Sequence, residues 1–272
     1  MKYLVAVSGG VDSVVLLDML VKDCGANNLV VAHFDHGIRD SSANDANFTK
    51  SLAEKYGCVF ELGYGNLGKN TSEAKARQAR YDFLNSLAEK YDLGIVVAHH
   101  LDDLVETVAL NLIRGTGWRG LTPFGQDIYR PMLGMTKADV LLYAHENGLE
   151  WVEDETNSSD IYARNRIRPK VASLDLDIKL QIYALYSQQW GVRREVSGEL
   201  DRMSLKSPYS RYFFIMLPDE VRIEALRFIT KGRLTRPQLN SLALAIGTAR
   251  PGSTYQAGSG LEAVFTSKTF SL

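Results

Sequence analysis

Short apolar runs alternate with helical patterns through the first half of the chain. Lys2 to Val7, Leu29 to His33, Cys58 to Leu62 and Leu93 to Ala98 are β-rich runs of strand length. Between them, Ser13 to Lys22, Ala43 to Tyr56 and Thr71 to Tyr91 carry helical spacing. The strand runs are apolar on both faces, as parallel strands covered by helices on two sides must be. Right-handed crossovers between such strands build a doubly wound parallel sheet, so the predicted fold class is α/β. Leu101, Leu104, Val105, Val108 and Leu112 share one helix face and predict a helix after the fourth strand. Thr136 to Asn147, stopped by Gly148, predicts another.

From about Val171 the alternation stops. Leu239, Leu242, Ala243 and Ile246 repeat at helical spacing behind Thr235, a candidate N-cap, and Pro237 in the first turn. Val221, Ala225, Phe228 and Ile229 mark a helix before it. Ala257-Gly258-Ser259-Gly260 reads as a hairpin turn leading into a last strand, Leu261 to Phe265. These patterns predict a first domain over 1–172 and a smaller, mostly helical domain with a terminal hairpin over 173–272.

Composition narrows the class without naming a chemistry. Over 272 residues, 45% are hydrophobic and 23% charged, which supports a sizeable core and excludes disordered, collagen-like and small disulfide-stapled classes. With 31 Lys+Arg against 32 Asp+Glu, no global basic field advertises a nucleic-acid partner. Two cysteines, Cys24 and Cys58, point to a reducing, cytoplasmic setting and offer no metal pair. No signal peptide is expected from the first residues. The apolar run after Ser13 breaks at Asp18, short of the ~20 residues a membrane span needs.

The chemistry enters with Ser8-Gly9-Gly10-Val11-Asp12-Ser13, between the first strand and the first helix. Backbone N–H groups at a helix N-terminus attract anions, helped by the helix dipole. The two glycines let backbone approach a phosphate, the two serine hydroxyls add donors, and Asp12 could hold Mg²⁺. This loop matches neither GxxxxGK[ST] nor GxGxxG, so the lysine of an ordinary P-loop is missing from it.

Further segments carry charge or polarity where open α/β sheets bind ligands. Ala32-His33-Phe34-Asp35-His36-Gly37-Ile38-Arg39 follows the second strand, and Glu73 to Tyr81 opens a helix with Arg77 and Arg80. In His99-His100-Leu101-Asp102-Asp103-Leu104-Val105-Glu106, the acids Asp103 and Glu106 are three apart and share a helix face. They could hold Mg²⁺ or orient an attacking amine, or merely complement the helix dipole. A zinc site from His99, His100 and Asp103 lacks ligand spacing. Arg114-Gly115-Thr116-Gly117-Trp118-Arg119 ends that helix with a cationic loop. Arg130 to Leu133 and Glu153 to Asn157 lead into Arg164-Asn165-Arg166-Ile167-Arg168-Pro169-Lys170, whose planar guanidinium forks suit phosphates and carboxylates.

SGGVDS in its strand–loop–helix setting resembles the signature of the PP-loop family of N-type ATP pyrophosphatases. Taken in order, the loop, HFDHGIR, EAKARQARY, HHLDDLVET, RGTGWRGL and RNRIR are similar to the tRNA(Ile)-lysidine synthetase branch of that family. The resemblance is dense over 1–170 and weaker beyond. It implies a five-stranded, adenine nucleotide alpha hydrolase-like sheet. It also implies ATP held by Ser8, Gly9, Gly10, Val11, Asp12, Ser13, Ala32, His33 and Phe34. The implied reaction uses ATP and Mg²⁺ to adenylylate the C2 oxygen of the wobble cytidine in the CAU anticodon of isoleucine tRNA. The ε-amine of free L-lysine then displaces AMP. The resemblance carries catalytic roles to Asp12, Asp103, Glu106, Arg77 and Arg114. It carries tRNA or lysine contacts to Arg80, Arg119, Arg164, Asn165 and Arg168, and a Mg²⁺ site to Asp12 and Asp103. A tRNA grip would require the arginines to segregate onto one face of a near-neutral chain. Many members of the branch carry an additional C-terminal domain, which a chain of this length is expected to lack. The sequence leaves open the oligomeric state, a homodimer included. It also leaves two rival readings, another PP-loop tRNA enzyme such as a thiolase and a non-catalytic ATP- or RNA-binding module.

Overall fold

A computed structural model describes residues 2–37, 42–65, 71, 73–125, 127–153 and 163–272. The chain divides into two compact units, Met1–Gln189 and Trp190–Leu272.

The first unit is built on β1 (Tyr3–Ala6), β2 (Leu29–Asp35), β3 (Val59–Tyr64), β4 (Gly94–Val96) and β5 (Ile128–Tyr129). They form one five-stranded sheet in the order β3-β2-β1-β4-β5, and every pairing is parallel. Alternate residues of β1, β2 and β4 feed opposite cores, which is why those runs read as apolar throughout. On one face Val5, Val7, Val31 and Val96 pack with Val14 to Leu17 of α1 (Val11–Cys24) and Leu52 of α2 (Ser42–Tyr56). Val140 of α5 (Lys137–Glu146) joins the same face. On the other, Leu4, Val30, Ala32, Ile95 and Val97 meet Leu84 and Leu87 of α3 (Glu73–Tyr91). A third cluster joins α4 (Leu101–Ile113) to Val171 of α6 (Ala163–Ala172) and Ile182 of α7 (Leu176–Arg202).

One buried carboxylate ties three helices of the first face. Asp18 accepts from Tyr56 and Tyr143 hydroxyls at 2.7 Å each and pairs with Lys22 at 2.7 Å. Burial alone would raise its pKa, but these donors outweigh burial and hold it below the usual carboxylate value.

In the second unit α8 (Arg211–Met216), which the sequence pattern did not predict, precedes the two expected helices, α9 (Asp219–Ile229) and α10 (Arg236–Thr248). Thr235 caps α10 in a capping box with Gln238. The turn at Gly258 to Gly260 joins β7 (Thr254–Gly258) to β8 (Leu261–Phe265). This unit holds more sheet than the predicted lone hairpin. β6 (Tyr209–Ser210) and β9 (Thr269–Ser271) complete a four-stranded sheet in the order β6-β9-β8-β7, so β8 is not the last strand. Strands of two or three residues are too short to show a period-two pattern. The buried Arg211 guanidinium donates to the Ile246, Ala249 and Thr266 carbonyls at 2.8 Å each, and Phe214, Leu226, Leu242, Phe265 and Phe270 fill the core.

Candidate active site

Strand order decides where a site can form. The chain runs outward from β1 through β2 to β3 on one side, then returns to place β4 on the other. The crevice beyond the carboxyl ends of β1 and β4 is therefore the switch point of the sheet, where open α/β folds bind ligands. The loop after β1 is SGGVDS, and the loop after β4 is His99-His100.

The first loop is held open by its own backbone. Gly9 sits at φ +89°, where an L side chain is strained, and a Cβ there would lie 3.4 Å from Thr49 Oγ1. Its carbonyl accepts from Val152 N at 3.0 Å. Gly10 precedes α1 without a side chain to cap it, leaving the loop-to-helix turn to backbone amides. Ser13 is committed to the loop itself. Its Oγ accepts from Ser8 N at 3.1 Å, donates to Gly10 O at 2.8 Å and lies 3.2 Å from Ser8 Oγ.

Behind the loop, Ala32 O accepts from Val7 N at 2.9 Å. The buried His33 uses Nδ1 on Val7 O at 2.8 Å. His33 thus braces the end of β1 beneath the phosphate loop. Phe34 packs against Phe83 and His36, and Gly63 makes the room, since a Cβ there would stand 2.7 Å from Phe83.

The second loop brings the acids. Asp103 Oδ2 accepts from His100 N at 3.0 Å and caps α4. His100 Nε2 lies 3.5 Å from Asp103 and 3.8 Å from Asp12, so one buried imidazole touches the acids of both loops. Asp12 also receives Lys137 Nζ at 2.5 Å. Asp102 is buried beneath them, accepting from Lys179 Nζ at 2.6 Å and from Lys137 N at 2.7 Å. Burial pushes its pKa up, yet these donors win and hold it below the ordinary value. Glu106 is 2% exposed, and Arg168 Nε reaches its Oε1 at 3.2 Å. The face shared by Asp103 and Glu106 is therefore interior at Glu106, not an open surface.

The arginines are less uniformly gathered. Arg77 stands 4.8 Å over the Tyr81 ring and donates to its hydroxyl at 3.3 Å, with Arg80 at 5.6 Å from the same ring. Arg114 is the exposed C-cap of α4, and Arg119 covers Trp118 at 4.8 Å. Arg164 and Asn165 belong to α6 by backbone, but their side chains lie outside the described residues, as do Ile38 and Arg39.

Three residues to which sequence reasoning gave no role complete the site, although Arg130 opens one of the segments it quoted. Arg130 is fixed by Gly125 O at 2.7 Å and Ile128 O at 2.8 Å, and donates to His99 Nδ1 at 3.1 Å. It covers Phe124 at 4.7 Å, and His99 stacks on the same ring at 4.8 Å. Burial lowers its pKa first, with Tyr81 and Tyr186 opposing and the like charge of Arg77 adding. Lys137 and Lys179 are the other two, far from the motif in sequence. A signal for Lys137 did exist: the first turn of a helix after a strand faces the ligand end of a parallel sheet.

The PP-loop domain family profile matches residues 1–174. The chain belongs to the PP-loop family. Among curated relatives, the tRNA(Ile)-lysidine synthase of Thermotoga sp. strain RQ2 is 40% identical over 269 residues, covering 91% of this chain and 64% of that protein. The tRNA(Ile)-lysidine synthase of Mycoplasma mycoides subsp. mycoides SC is 40% identical over 178 residues, covering 61% of this chain and 44% of that protein. The chain thus spans less than two thirds of these relatives' length. Among solved structures, the U34-tRNA thiolase NcsA of Methanococcus maripaludis, with its 4Fe–4S cluster, matches at TM-score 0.59 and 20% identity. That match covers 71% of this chain and 72% of that one, a likeness of fold.

The PP-loop arrangement sets limits on what the site can hold. Among the described residues, no three His, Cys, Asp or Glu side chains gather for a metal. The donor set nonetheless fits Mg²⁺, which commonly takes one or two carboxylates and fills its shell with phosphate oxygens and water. Asp12, one third exposed and engaged by Lys137 through Oδ1, is the more accessible carboxylate for it, whereas Asp103 Oδ2 is already used on the α4 N-terminus. Both thiols are free; Cys58 is buried and Cys24 gives its Sγ–H to Leu20 O at 3.1 Å. Burial raises both pKa values, which favours the protonated thiol over the thiolate. Among the described residues, no helix is long and apolar enough to cross a membrane.

Proposed function

We propose that this protein attaches free lysine to C2 of the wobble cytidine of a CAU-anticodon isoleucine tRNA, in the cytoplasm, at the expense of ATP. The supporting observation is the meeting of Asp12, His100, Asp103 and Lys137 at the switch point of a PP-loop sheet. Relatives named tRNA(Ile)-lysidine synthase match 61% and 91% of the chain at 40% identity, which supports the same reading.

In this reading ATP lies on the SGGVDS loop, its phosphates on the amides at the start of α1. The C2 oxygen of cytidine attacks the α-phosphorus and the bond to the β-phosphate breaks, releasing pyrophosphate. Mg²⁺ on Asp12 would neutralise charge on that leaving group. The lysine ε-amine then forms the bond to C2, and AMP departs with the former C2 oxygen. The amine must give up a proton, and Asp103 is the better-exposed acceptor of the two predicted acids. Glu106, under Arg168, instead fixes that guanidinium where the substrate carboxylate or a tRNA phosphate would meet it. Arg77, Arg80, Arg114, Arg119, Arg164 and Asn165 supply the remaining polar contacts to tRNA and lysine. Sulfur transfer on a cluster is disfavoured, because iron–sulfur clusters are held by several thiolates and this chain has two cysteines, both free.

The test is transfer of labelled lysine to an isoleucine tRNA transcript with a CAU anticodon, in the presence of ATP and Mg²⁺. Label should enter that transcript and not methionine tRNA with the same anticodon. ATP breakdown without tRNA-bound lysine would overturn the assignment.

A further inference from the structure

The phosphate loop has no lysine of its own, yet the fold delivers one. Lys137 lies 125 positions from Asp12 in sequence, and its Nζ is 2.5 Å from the Asp12 carboxylate. We propose that Lys137 is the phosphate-binding lysine of this site, resting on Asp12 and moving to the β- and γ-phosphates when ATP binds. The inference rests on the ATP reading above.

Three observations support it. Lys137 is the first residue of α5, where the helix dipole disfavours a cation, so its charge is placed against local preference. Its backbone is fixed, since the Lys137 amide donates to the buried Asp102, itself clamped by Lys179. Its ammonium end is reached by solvent, with 39% of the side chain exposed against 34% for Asp12. A rigid base with an exposed tip can move between two anions a few ångströms apart. A half-exposed ion pair is worth little, whereas a polyphosphate carries several charges next to the same loop. The exchange also releases the Asp12 carboxylate to take a magnesium ion.

Calorimetric titration of the intact protein with ATP, AMP and inorganic pyrophosphate, with Mg²⁺ present, tests the exchange without turnover. Loss of a charge-assisted hydrogen bond predicts that Lys137→Met binds ATP and pyrophosphate about 10- to 100-fold more weakly. AMP, which lacks the β- and γ-phosphates, should bind the variant and the wild type alike, which also shows that the variant is folded. Lys137→Arg should restore part of the pyrophosphate affinity. Equal ATP affinity in Lys137→Met and wild type overturns the proposal. So does parallel loss of AMP and ATP, which would make the lysine an organiser of the loop. Wild-type protein that binds none of the three probes overturns the ATP reading itself.

Discussion

The Asp102–Lys179 pair offers a quantitative test of how the site is supported. Both side chains are 8% exposed and meet at 2.6 Å, so replacing Lys179 by Met removes the partner of a carboxylate that solvent barely reaches. Removing one member of such a pair typically costs about 3–5 kcal/mol. Asp102 keeps the Lys137 N–H at 2.7 Å, which places the expectation near the lower end, about 3 kcal/mol at pH 7. The pH dependence follows from the direction of the shift. Asp102 has a folded pKa below its unfolded one, so its contribution is present above about pH 4 and fades as pH falls through the folded value. In Lys179→Met the unpaired carboxylate is raised instead, and protonation at low pH relieves the variant. The stability gap between wild type and variant should therefore narrow as pH falls from 7 to about 3. Urea unfolding followed by tryptophan fluorescence measures the gap, and adding Asp102→Asn to Lys179→Met should recover most of it. A gap under about 1 kcal/mol at pH 7, or one that widens in acid, would refute the reasoning.

Other perturbations probe other joints. Asp12→Ala should reduce ATP-to-pyrophosphate turnover at least about 100-fold while tRNA retention on filters stays near wild type. Gly63→Ala sets a methyl 2.7 Å from Phe83 and 2.9 Å from Phe34, and overpacking of this kind costs about 1–3 kcal/mol, read as a lower thermal midpoint. Tyr56→Phe leaves Asp18 with Tyr143 and Lys22 but removes a 2.7 Å donor, an expected loss of about 1–2 kcal/mol in chemical denaturation.

Much of the first unit was legible because burial on two faces leaves an unmistakable apolar run. Leu4 and Val5 serve opposite cores, so neither face of β1 shows a polar residue to confuse the reading. Ile128–Tyr129 is a strand of two residues, and only its pairing with Ile95 and Val96 reveals it. The phosphate loop was legible because its glycines and serines are consecutive. Its cations were not: Lys137 and Lys179 reach Asp12 and Asp102 across 125 and 77 positions, and only the strand order brings them there. Spacing placed Asp103 and Glu106 on one face correctly, yet gave no hint that packing against α6 would bury Glu106 under Arg168. Five further β residues of the second unit, Tyr209, Ser210, Thr269, Phe270 and Ser271, pair in short strands that carry no periodic signal of their own.

The oxygen at C2 of the target cytidine carries the central claim. If that oxygen is adenylylated and then displaced by lysine, it must leave the tRNA attached to phosphorus. An isoleucine tRNA bearing heavy oxygen at C2 of its wobble cytidine, turned over with lysine and ATP, should yield AMP carrying the heavy atom, detected by mass spectrometry. Unlabelled AMP, with the heavy oxygen retained in the tRNA, would contradict the account.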